Sequence, residues 1–370
     1  MTKAAELAKM GEVLTNNQIG GRRNIAFNGA MQVAQRGTSS TGLGANGDAF
    51  LLDRFRVTAA STAGRYTMTQ TADGPSGFAN CLKIACTTAD TSIAAGENLV
   101  LVQGLEGQDL QQFKKGTSDA EKFTVSFYVK GHDAATYTFE MFDGDNTRQV
   151  SQTFSVTTDW TRVILTFPAD TTGAFGDDNG ASLYLQICLH TGSTFTSGTL
   201  NTSWASNTNA NRYSSDQNSI FESTSATFSI TGFQFEVGSQ ATPFEHRSFG
   251  EEKLLCGRYY QKKGGEQVHS VLGHGYNHTT DDAIIFVPLT PEMRAVPTLD
   301  TGTLSKIRVT DQDASTEAIG ALTIGGTDSR TGMASLNAAN ITGDTQTAGE
   351  ATALVCNNDA DGYVAFIAEL

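Results

Sequence analysis

The sequence predicts an all-β protein built from a jelly-roll β-sandwich and a smaller C-terminal β-domain. Its composition is the first reason, because 38 Gly and 21 Phe with only 17% charged residues are typical of a chain with many turns and aromatic strands. The second reason is period-two alternation, clearest in Phe123–Lys130, where apolar residues alternate with polar ones. Successive side chains of a strand point to opposite faces, so such runs place one face on a core. Their spacing between turn residues, without a helical repeat, favours a jelly roll.

A short amphipathic helix is predicted over residues 3–14, before the first strand. Leu7, Met10 and Leu14 fall at i, i+3 and i+7, so they share one helical face. A helix of this length is marginal alone and gains stability by packing against copies of itself or against a partner. We therefore expect residues 1–23 to serve for attachment or trimerisation through these side chains; a frayed tail is the alternative.

Residues 24–247 are predicted to form the sandwich. The runs Asn24–Gly37 and Leu51–Val57 are expected to be its opening pair of antiparallel strands, and Leu105–Phe113 a short helix. Gly192–Gln217 is long, polar and without periodicity, which predicts a loop over one face of the sandwich. Three further runs alternate strongly and are predicted to be strands: Val163–Phe167, Leu183–Leu189 and Phe228–Val237.

A slip of phase in the last of these strands predicts a β-bulge. Ile230 and Phe233 are both apolar although they fall on opposite phases of the alternation. Gly232 lies at the slip, and glycine is a residue that bulges favour. We therefore expect the strand to bend and change register at Gly232.

Residues 248–370 are predicted to form an acidic C-terminal β-domain. Residues 264–370 hold four Lys or Arg against fourteen Asp or Glu, which is −10 of the net charge of −14. Such a surface repels phosphate, so no nucleic-acid partner is predicted. No run reaches the ~18 apolar residues of a membrane helix, so no membrane insertion is predicted. The strands expected here are Ala283–Leu289, Lys306–Thr310, Ala321–Ile324 and Gly362–Ala368.

The five cysteines show no CxxC pair and no disulfide framework. Cys86, Cys188 and Cys356 lie in apolar, strand-like runs and are predicted to be core thiols. The first residues lack the apolar segment of a signal peptide. The sequence therefore predicts folding and assembly in a reducing cytoplasm.

The order of several motifs resembles a module of bacteriophage tail-fibre and virion structural proteins. Asn24–Gln32 resembles the family's opening "N-x-x-x-N-G-x-M-Q", and Asp53–Phe55 stands where the family often has "DRW". Phe233–Arg247 strongly resembles its closing "xQLEVGxxATPFExR", and Leu255–Tyr260 its "CQRYY" exit. The resemblance covers residues 24–260. It implies a jelly roll related in shape to carbohydrate-binding modules, a place in homotrimeric virion appendages, and no established catalytic residues.

Aromatic side chains are the candidate glycan contacts, because their rings stack on the apolar faces of sugar rings. Tyr128 and Tyr184 lie on the non-core phase of their strands, which predicts outward-facing rings. A subunit interface, which is also rich in Tyr and Trp, is the alternative for the same residues. The candidate set comprises Tyr128, Tyr184, His190, Trp204 and Tyr213, with Trp160 as a further member.

No cofactor is predicted, and the metal-ligating patterns are weak. His274 and His278, with His269 before them, are candidate Zn²⁺ ligands, but their spacing fits neither one helical face nor one strand face. Ordinary loop or strand histidines are the favoured interpretation. The acidic turn with Asp143 and Asp145 is a candidate structural Ca²⁺ site, and a plain hairpin turn is its default interpretation.

Two charged motifs are expected to be structural. Asp53, Arg54 and Arg56 lie in an apolar run, where a pair of an arginine with the carboxylate would pin a strand or a subunit contact. In the closing motif, Phe244 is expected to fill one end of the core, while Glu245 and Arg247 pair or cap. A catalytic acid is the minor alternative for Asp53, since acid–base chemistry needs a second carboxylate in a cleft.

The sequence shows no GxSxG, HExxH, GxGxxG or P-loop pattern. It therefore predicts a non-enzymatic bacteriophage virion protein, a tail fibre or tail-tip adhesin that binds host surface glycan. The alternatives are a baseplate, adaptor or head-decoration protein with packing contacts only, and a small polysaccharide hydrolase or lyase. The expected partners are other virion tail proteins, copies of itself in a homotrimer, and host cell-surface polysaccharide. The expected location is the virion tail, after assembly in the host cytoplasm.

Overall fold

The computed structural model describes residues 3–4, 22–310, 316–325, 329–342 and 346–370. The predicted trimerisation contacts Leu7, Met10 and Leu14 lie outside these ranges. The chain divides into two compact units: unit 1 is Met1–Phe249 with Leu370, and unit 2 is Gly250–Glu369. Within the described ranges, no helix combines the length and apolar character needed to cross a membrane.

Apart from residues 3–4, which are helical, the described part of unit 1 consists of β-strands and irregular connections. Its irregular connections include short 3₁₀ turns at Gly107–Asp109, Gln111–Phe113, Ser193–Phe195 and Asn209–Asn211. The strands are β1 (Ser39–Gly44), β2 (Gly47–Phe50), β3 (Arg56–Ala60), β4 (Arg65–Thr71), β5 (Cys81–Thr88), β6 (Asn98–Glu106), β7 (Phe123–Gly131), β8 (Ala135–Asp143), β9 (Arg148–Val156), β10 (Thr161–Phe167), β11 (Ala181–Thr191), β12 (Ala205–Ser206) and β13 (Thr227–Val237).

These strands form two antiparallel sheets that pack face to face as a jelly-roll sandwich. The six-stranded sheet has the order β1-β4-β5-β13-β7-β10, and the seven-stranded sheet the order β12-β9-β8-β11-β6-β3-β2. Aromatic side chains from both sheets meet in the core: the ring centroids of Phe127 and Phe139 are 5.9 Å apart, and those of Tyr137 and Phe228 5.4 Å. The predicted fold class is confirmed, and so are the strands predicted at Phe123–Lys130, Val163–Phe167, Leu183–Leu189 and Phe228–Val237.

The opening segment differs from its prediction. Residues 24–37 contain no strand, and the first strand begins at Ser39. The second predicted member of the opening pair, Leu51–Val57, is also wrong in its bounds, because residues 51–55 are irregular and β3 begins only at Arg56. The cause is local, because Asn28 and Met31 have left-handed backbone angles of +53° and +54°, which break an extended run. The Asn28 side-chain amide then donates to the carbonyl oxygens of Val33 and Asp53 at 2.8 and 2.9 Å. Side-chain hydrogen bonds thus replace the ladder that the alternation predicted.

The bulge predicted at Gly232 is confirmed. The register between β13 and β7 shifts between Thr231 and Gln234, and Gly232 has a φ of +62°. The segment Leu105–Phe113, predicted as a helix, instead ends strand β6 and continues as two 3₁₀ turns. The phase change in β13 therefore marks a β-bulge in the strand.

Unit 2 contains one helix and two further antiparallel sheets in its described residues. The three-stranded sheet has the order β14-β23-β17, and the seven-stranded one β19-β18-β22-β15-β16-β21-β20. Its core includes Ile285, Leu336 and Phe366, all fully buried. The elements are α1 (Phe249–Gly257), β14 (Tyr260–Gly264), β15 (Val271–Asn277), β16 (Ala283–Pro288), β17 (Thr298–Asp300), a 3₁₀ turn (Leu304–Lys306), β18 (Ile307–Thr310), β19 (Thr316–Ala318), β20 (Ala321–Ile324), β21 (Met333–Ala339), β22 (Ala351–Cys356) and β23 (Tyr363–Ile367).

The cysteines lie in the cores of the two units. All five thiols are free and buried, so the prediction of core thiols for Cys86, Cys188 and Cys356 is confirmed. Cys81 and Cys256 are buried in the same way. Packing, and not covalent cross-linking through these residues, therefore holds the sheets together.

Candidate functional site

The acidic and basic residues of the opening motif have structural roles. Asp53 is 1% exposed and accepts hydrogen bonds from both the backbone and the side chain of Gln35. Arg36 approaches the same carboxylate at 3.9 Å. Arg54 donates to the carbonyl oxygen of Gly104 at 2.6 Å, which ties this segment to strand β6. The predicted pinning role of Asp53 and Arg54 therefore matches their contacts.

The closing motif binds the opening motif. The Glu245 carboxylate accepts hydrogen bonds from the backbone amides of Arg23 and Asn24, at 3.2 and 2.7 Å. Arg247 lies 3.7 Å from Glu245 and donates to the backbone oxygens of Asn24 and Ala26. Two motifs more than 200 residues apart thus close the sandwich, and the pairing predicted for Glu245 and Arg247 is present.

Four aromatic side chains gather on the outer face of the six-stranded sheet, and we call them the aromatic platform: Phe78, Tyr128, Phe244 and His246. The Phe78 ring is central, with centroid distances of 5.4 Å to Tyr128, 4.9 Å to Phe244 and 5.2 Å to His246. Phe244 and His246 are 4.8 Å apart. His246 is exposed and the other three side chains are half-buried. The platform therefore offers contiguous ring surface to solvent.

The bulge in β13 makes the platform sterically possible. A Cβ atom on Gly232 would lie 2.8 Å from Cζ of Phe78 and 2.9 Å from Cδ2 of Tyr128, closer than packed carbons tolerate. The absence of a side chain there lets both rings approach the sheet. Phe78 is presented by a turn in which its amide donates to the carbonyl oxygen of Pro75 at 2.9 Å. The strand phase of Tyr128 predicted its outward-facing ring, but no sequence pattern predicted the other three side chains of the platform.

Phe244 is a correction to the sequence prediction. It was expected to fill one end of the core, but it is half-buried and packs on Phe78 and His246 outside the sheet. The reason is that the residues after β13, a central strand of the six-stranded sheet, turn back over the outer surface of that sheet, where the Glu245 amide donates to the Gln234 side chain at 2.8 Å. The motif that closes the fold therefore also delivers two rings to the platform.

The outer face of the seven-stranded sheet is covered by the chain itself. The predicted loop, residues 192–217, lies over this face, and Arg212 forms a two-pronged contact with Glu140, with Nη2 at 2.6 Å from Oε2 and Nε at 3.0 Å from Oε1. Arg212 also reaches Gln186 at 3.2 Å. The Ser214 amide donates to the Thr138 hydroxyl at 3.1 Å. The loop thus fills the middle of the sheet with its own side chains.

Tyr213 and His190 are buried, so their assignment as glycan contacts is wrong. Tyr213 is 1% exposed and packs against Val100, Val102 and Cys188 under the loop. Burial raises the pKa of its hydroxyl well above the ordinary value. His190 is 0% exposed at the end of β11. Tyr213 lies within the loop, which the alternation does not describe, and His190 is enclosed by Glu97 and Ser219, which strand phase cannot reveal.

Tyr184 and Trp204 are half-buried and distant from the platform in the fold. Tyr184 faces outward on β11 beside Phe142, with centroids 6.1 Å apart, and the Arg56 guanidinium lies 5.9 Å from its ring. Trp204 donates from Nε1 to the carbonyl oxygen of Pro168 at 2.9 Å. This hydrogen bond fixes the position of the Trp204 ring.

A buried ammonium occupies the acidic turn that was considered for Ca²⁺. Lys115 Nζ lies 2.6 Å from Oδ2 of Asp143 and 3.1 Å from Oδ2 of Asp170, and the Trp204 ring lies over it at 5.4 Å. Asp145 is exposed and accepts from the Gly176 amide at 2.8 Å. The protein thus supplies its own cation to Asp143, and Asp145 turns elsewhere.

The histidines considered for Zn²⁺ lie on the surface of unit 2. His274 and His278 are both exposed, His274 on β15 and His278 just after it. Among the described residues, three potential ligand atoms from His, Cys, Asp or Glu come within 4.8 Å of one another at a different place, Asp90, Glu97 and His190. Sequence spacing does not signal that cluster, because Asp90 and Glu97 lie on the connection between β5 and β6, whereas His190 comes from β11.

Comparison with known proteins gives no family. No family model matches the chain, and no curated protein matches it. Solved structures share some similarity. The enzymatically active domain of bacteriophage CBA120 tailspike protein 4 matches at 11% identity with a TM-score of 0.30, over 58% of this chain and 21% of its own length. The chain therefore spans about a fifth of that tailspike.

Carbohydrate-binding modules are also among the similar structures. A CBM4 module matches at 12% identity with a TM-score of 0.31, over 57% of this chain and 97% of its own length. The CBM22-1–CBM22-2 tandem domain of Paenibacillus barcinonensis Xyn10C matches at 12% identity with a TM-score of 0.28, over 94% of this chain and 99% of its own. Similarities at this level assign no function to the present chain.

Proposed function

We propose that this protein is a non-enzymatic bacteriophage virion component, a tail fibre or tail-tip adhesin, whose sandwich binds host surface polysaccharide through the aromatic platform. The observation that carries the proposal is the cluster of four contiguous, solvent-facing rings around Phe78. Flat ring faces stack on the apolar faces of pyranose units, and the exposed His246 imidazole can donate to or accept from sugar hydroxyls. The ordered phage-like motifs of residues 24–260 supply the biological context.

Attachment through such a platform is weak for each site and gains strength by repetition. A stacked aromatic pair contributes about 0.5–1.5 kcal/mol beyond burial of area. In a homotrimer carried in several copies on a particle, linked sites raise the overall affinity by ~10²–10⁴ without new contacts. The proposed mechanism is therefore multivalent adhesion of the full appendage to repeating surface glycan, with no chemical step.

Two variants of the platform test the binding surface. Tyr128→Ala and Phe244→Ala each remove one ring, and we expect each to weaken glycan binding by roughly 3- to 10-fold. Tyr184→Ala is the matched control, since it removes a half-buried outward Tyr from the other sheet. Binding is measured on a glycan array and on polysaccharide prepared from bacterial surfaces. If Tyr184→Ala loses binding while the platform variants keep it, the site lies on the seven-stranded sheet.

The adhesin proposal also predicts the oligomeric state, the binding and the lack of catalytic activity of the purified protein. Purified protein should form trimers by light scattering, bind bacterial surface polysaccharide, and release no reducing ends or unsaturated sugars from it. A monomer that binds no surface component would refute adhesion, and turnover of polysaccharide would refute the non-enzymatic assignment.

A purely structural role in the virion is the second candidate. Two of the four platform rings, Phe78 and Phe244, carry no polar atom, and such rings are enriched in the cores of protein interfaces. In that case the platform packs against another baseplate, adaptor or head protein. Cross-linking from a His246→Cys variant in assembled particles would capture the neighbouring virion protein, whereas the platform of an adhesin would stay accessible to thiol labelling on the particle.

A further inference from the structure

We propose that Asp90, Glu97 and His190 form a binding site for one divalent transition-metal ion of the Zn²⁺ type. The three residues lie at one end of the sandwich, where the connection from β5 to β6 passes between the sheets. Asp90 follows β5, Glu97 precedes β6, and His190 is near the end of β11, opposite Leu99. This site is independent of the aromatic platform and of the proposed adhesive function.

The cluster is compact and closed to solvent. One ligand atom from each residue lies within 4.8 Å of the others, and the residues are 6%, 4% and 0% exposed. Asp90 Oδ1 accepts from the Ser92 amide at 3.2 Å, whereas its Oδ2 is buried without a hydrogen-bond donor. A buried carboxylate oxygen without a partner is costly. Either a proton shared with Glu97 or a cation in the cluster would satisfy it.

One tautomer of His190 presents a lone pair to the cluster. Its Nδ1 lies 2.7 Å from the Ser219 hydroxyl oxygen, which also accepts from the Phe221 amide at 3.0 Å. When Nδ1 donates to Ser219, Nε2 presents its lone pair to the Glu97 carboxylate at 2.9 Å. A lone pair facing a carboxylate oxygen is repulsive unless something positive lies between them. A ligand histidine held through its other nitrogen is the usual arrangement in metal sites.

The donor set indicates which metals fit. Two carboxylates and a neutral imidazole balance the charge of a divalent ion, so no net charge remains buried. Zn²⁺ accepts this mixture of nitrogen and oxygen at about 2.0–2.2 Å, which places ligand atoms of a tetrahedral site about 3.4 Å apart. Ca²⁺ requires six or more oxygen ligands and is disfavoured by the imidazole. A solvent molecule would complete the coordination.

Metal binding to the full chain tests the site. The protein is treated with EDTA, dialysed and titrated with ZnCl₂, CoCl₂ or CaCl₂. We expect one tightly held Zn²⁺ per chain, a rise in the midpoint of thermal unfolding with Zn²⁺ but not with Ca²⁺, and a Co²⁺ spectrum without thiolate charge-transfer bands. The last readout distinguishes this site from the buried cysteines and needs no mutation, so it stands even where variants fold poorly.

Three variants locate the ion. Asp90→Asn and His190→Gln keep side-chain size and should abolish saturable binding, while Ser219→Ala should weaken it by about 10- to 100-fold. The control is the double variant His274→Ala/His278→Ala, which removes exposed histidines and should bind as wild type. Substoichiometric Zn²⁺ in the wild type, or loss of binding only in the control, would overturn the proposal and leave a proton shared between Asp90 and Glu97.

Discussion

Replacing Lys115 by Met should destabilise unit 1 strongly, because it removes the cation that neutralises two buried carboxylates. The ammonium is completely buried, lies 2.6 and 3.1 Å from Asp143 and Asp170, and donates to the carbonyl oxygens of Thr172 and Gly173 at 2.9 and 2.7 Å. Methionine fills the space of the aliphatic stem but supplies no charge. Asp170 keeps its contact with Arg148, whereas the Asp143 carboxylate keeps, among the described residues, only hydrogen bonds from the uncharged Asn146. Removing one partner of a buried ion pair costs about 3–5 kcal/mol.

The assay follows from the position of the two tryptophans. Trp160 and Trp204 both lie in unit 1, and the Trp204 ring covers Lys115 at 5.4 Å. Tryptophan fluorescence during urea unfolding therefore reports the free energy of unfolding of unit 1. A loss of 3–5 kcal/mol corresponds to a fall in the thermal midpoint of about 6–20 °C for a unit of this size.

A surface lysine provides the matched control. Lys130 lies 2.7 Å from Asp73, nearly the same distance, but both side chains are substantially exposed to water. Lys130→Met should change the free energy of unfolding by about 1 kcal/mol or less. Equal effects of the two substitutions, or a Lys115→Met protein as stable as wild type, would show that burial does not set the strength of this network.

Three further outcomes are expected. Asn28→Ala should cost about 1–3 kcal/mol for each buried backbone group it leaves unpaired, measured by the same urea unfolding, and an unchanged midpoint would contradict the role of this amide. Burial raises the pKa of Asp170, but Arg148 and Lys115 lower it more, so it stays below the ordinary value. Its stabilisation is therefore present above about pH 4 and is lost as the pH falls through the folded-state pKa; the fall in unfolding free energy on acidification should be shallower in Lys115→Met. Burial raises the pKa of the Cys188 thiol to about 12, so DTNB should modify Cys188 only after unfolding.

The regular part of the fold could be predicted because its signal is local. In β7 and β11, apolar side chains recur at every second residue, and a strand with one buried face requires this pattern wherever it lies. The bulge was equally readable, since Gly232 marks the phase change within a single strand. Residues 24–37 show a similar alternation but are irregular, because the Asn28 amide bonds to backbone groups that the period cannot reveal.

The sequence could predict a site residue only where the position of that residue in its own strand was enough to identify it. The phase of β7 identified Tyr128, whereas Phe78 and His246 reach it from connections far away in the sequence. Asp90 and His190 are 100 positions apart and meet only after both sheets have formed. Segments that are distant in the sequence leave no periodic pattern when they come together in the fold. The metal-ligand candidates predicted from the sequence were therefore histidines and acidic residues that are close neighbours in the chain.

The loop of residues 192–217 gives the two broad sides of unit 1 different tolerance to change. Arg212 from this loop pairs with the buried Glu140 carboxylate of the seven-stranded sheet. Shortening the loop would therefore leave a buried negative charge without its partner, and would not simply open a groove. Insertions and sequence drift are therefore penalised on that side. On the opposite side, the Phe78 and His246 rings contact each other and pair with no buried charge. Other aromatic residues can therefore replace these two rings, and the binding surface can change, while the sandwich stays folded.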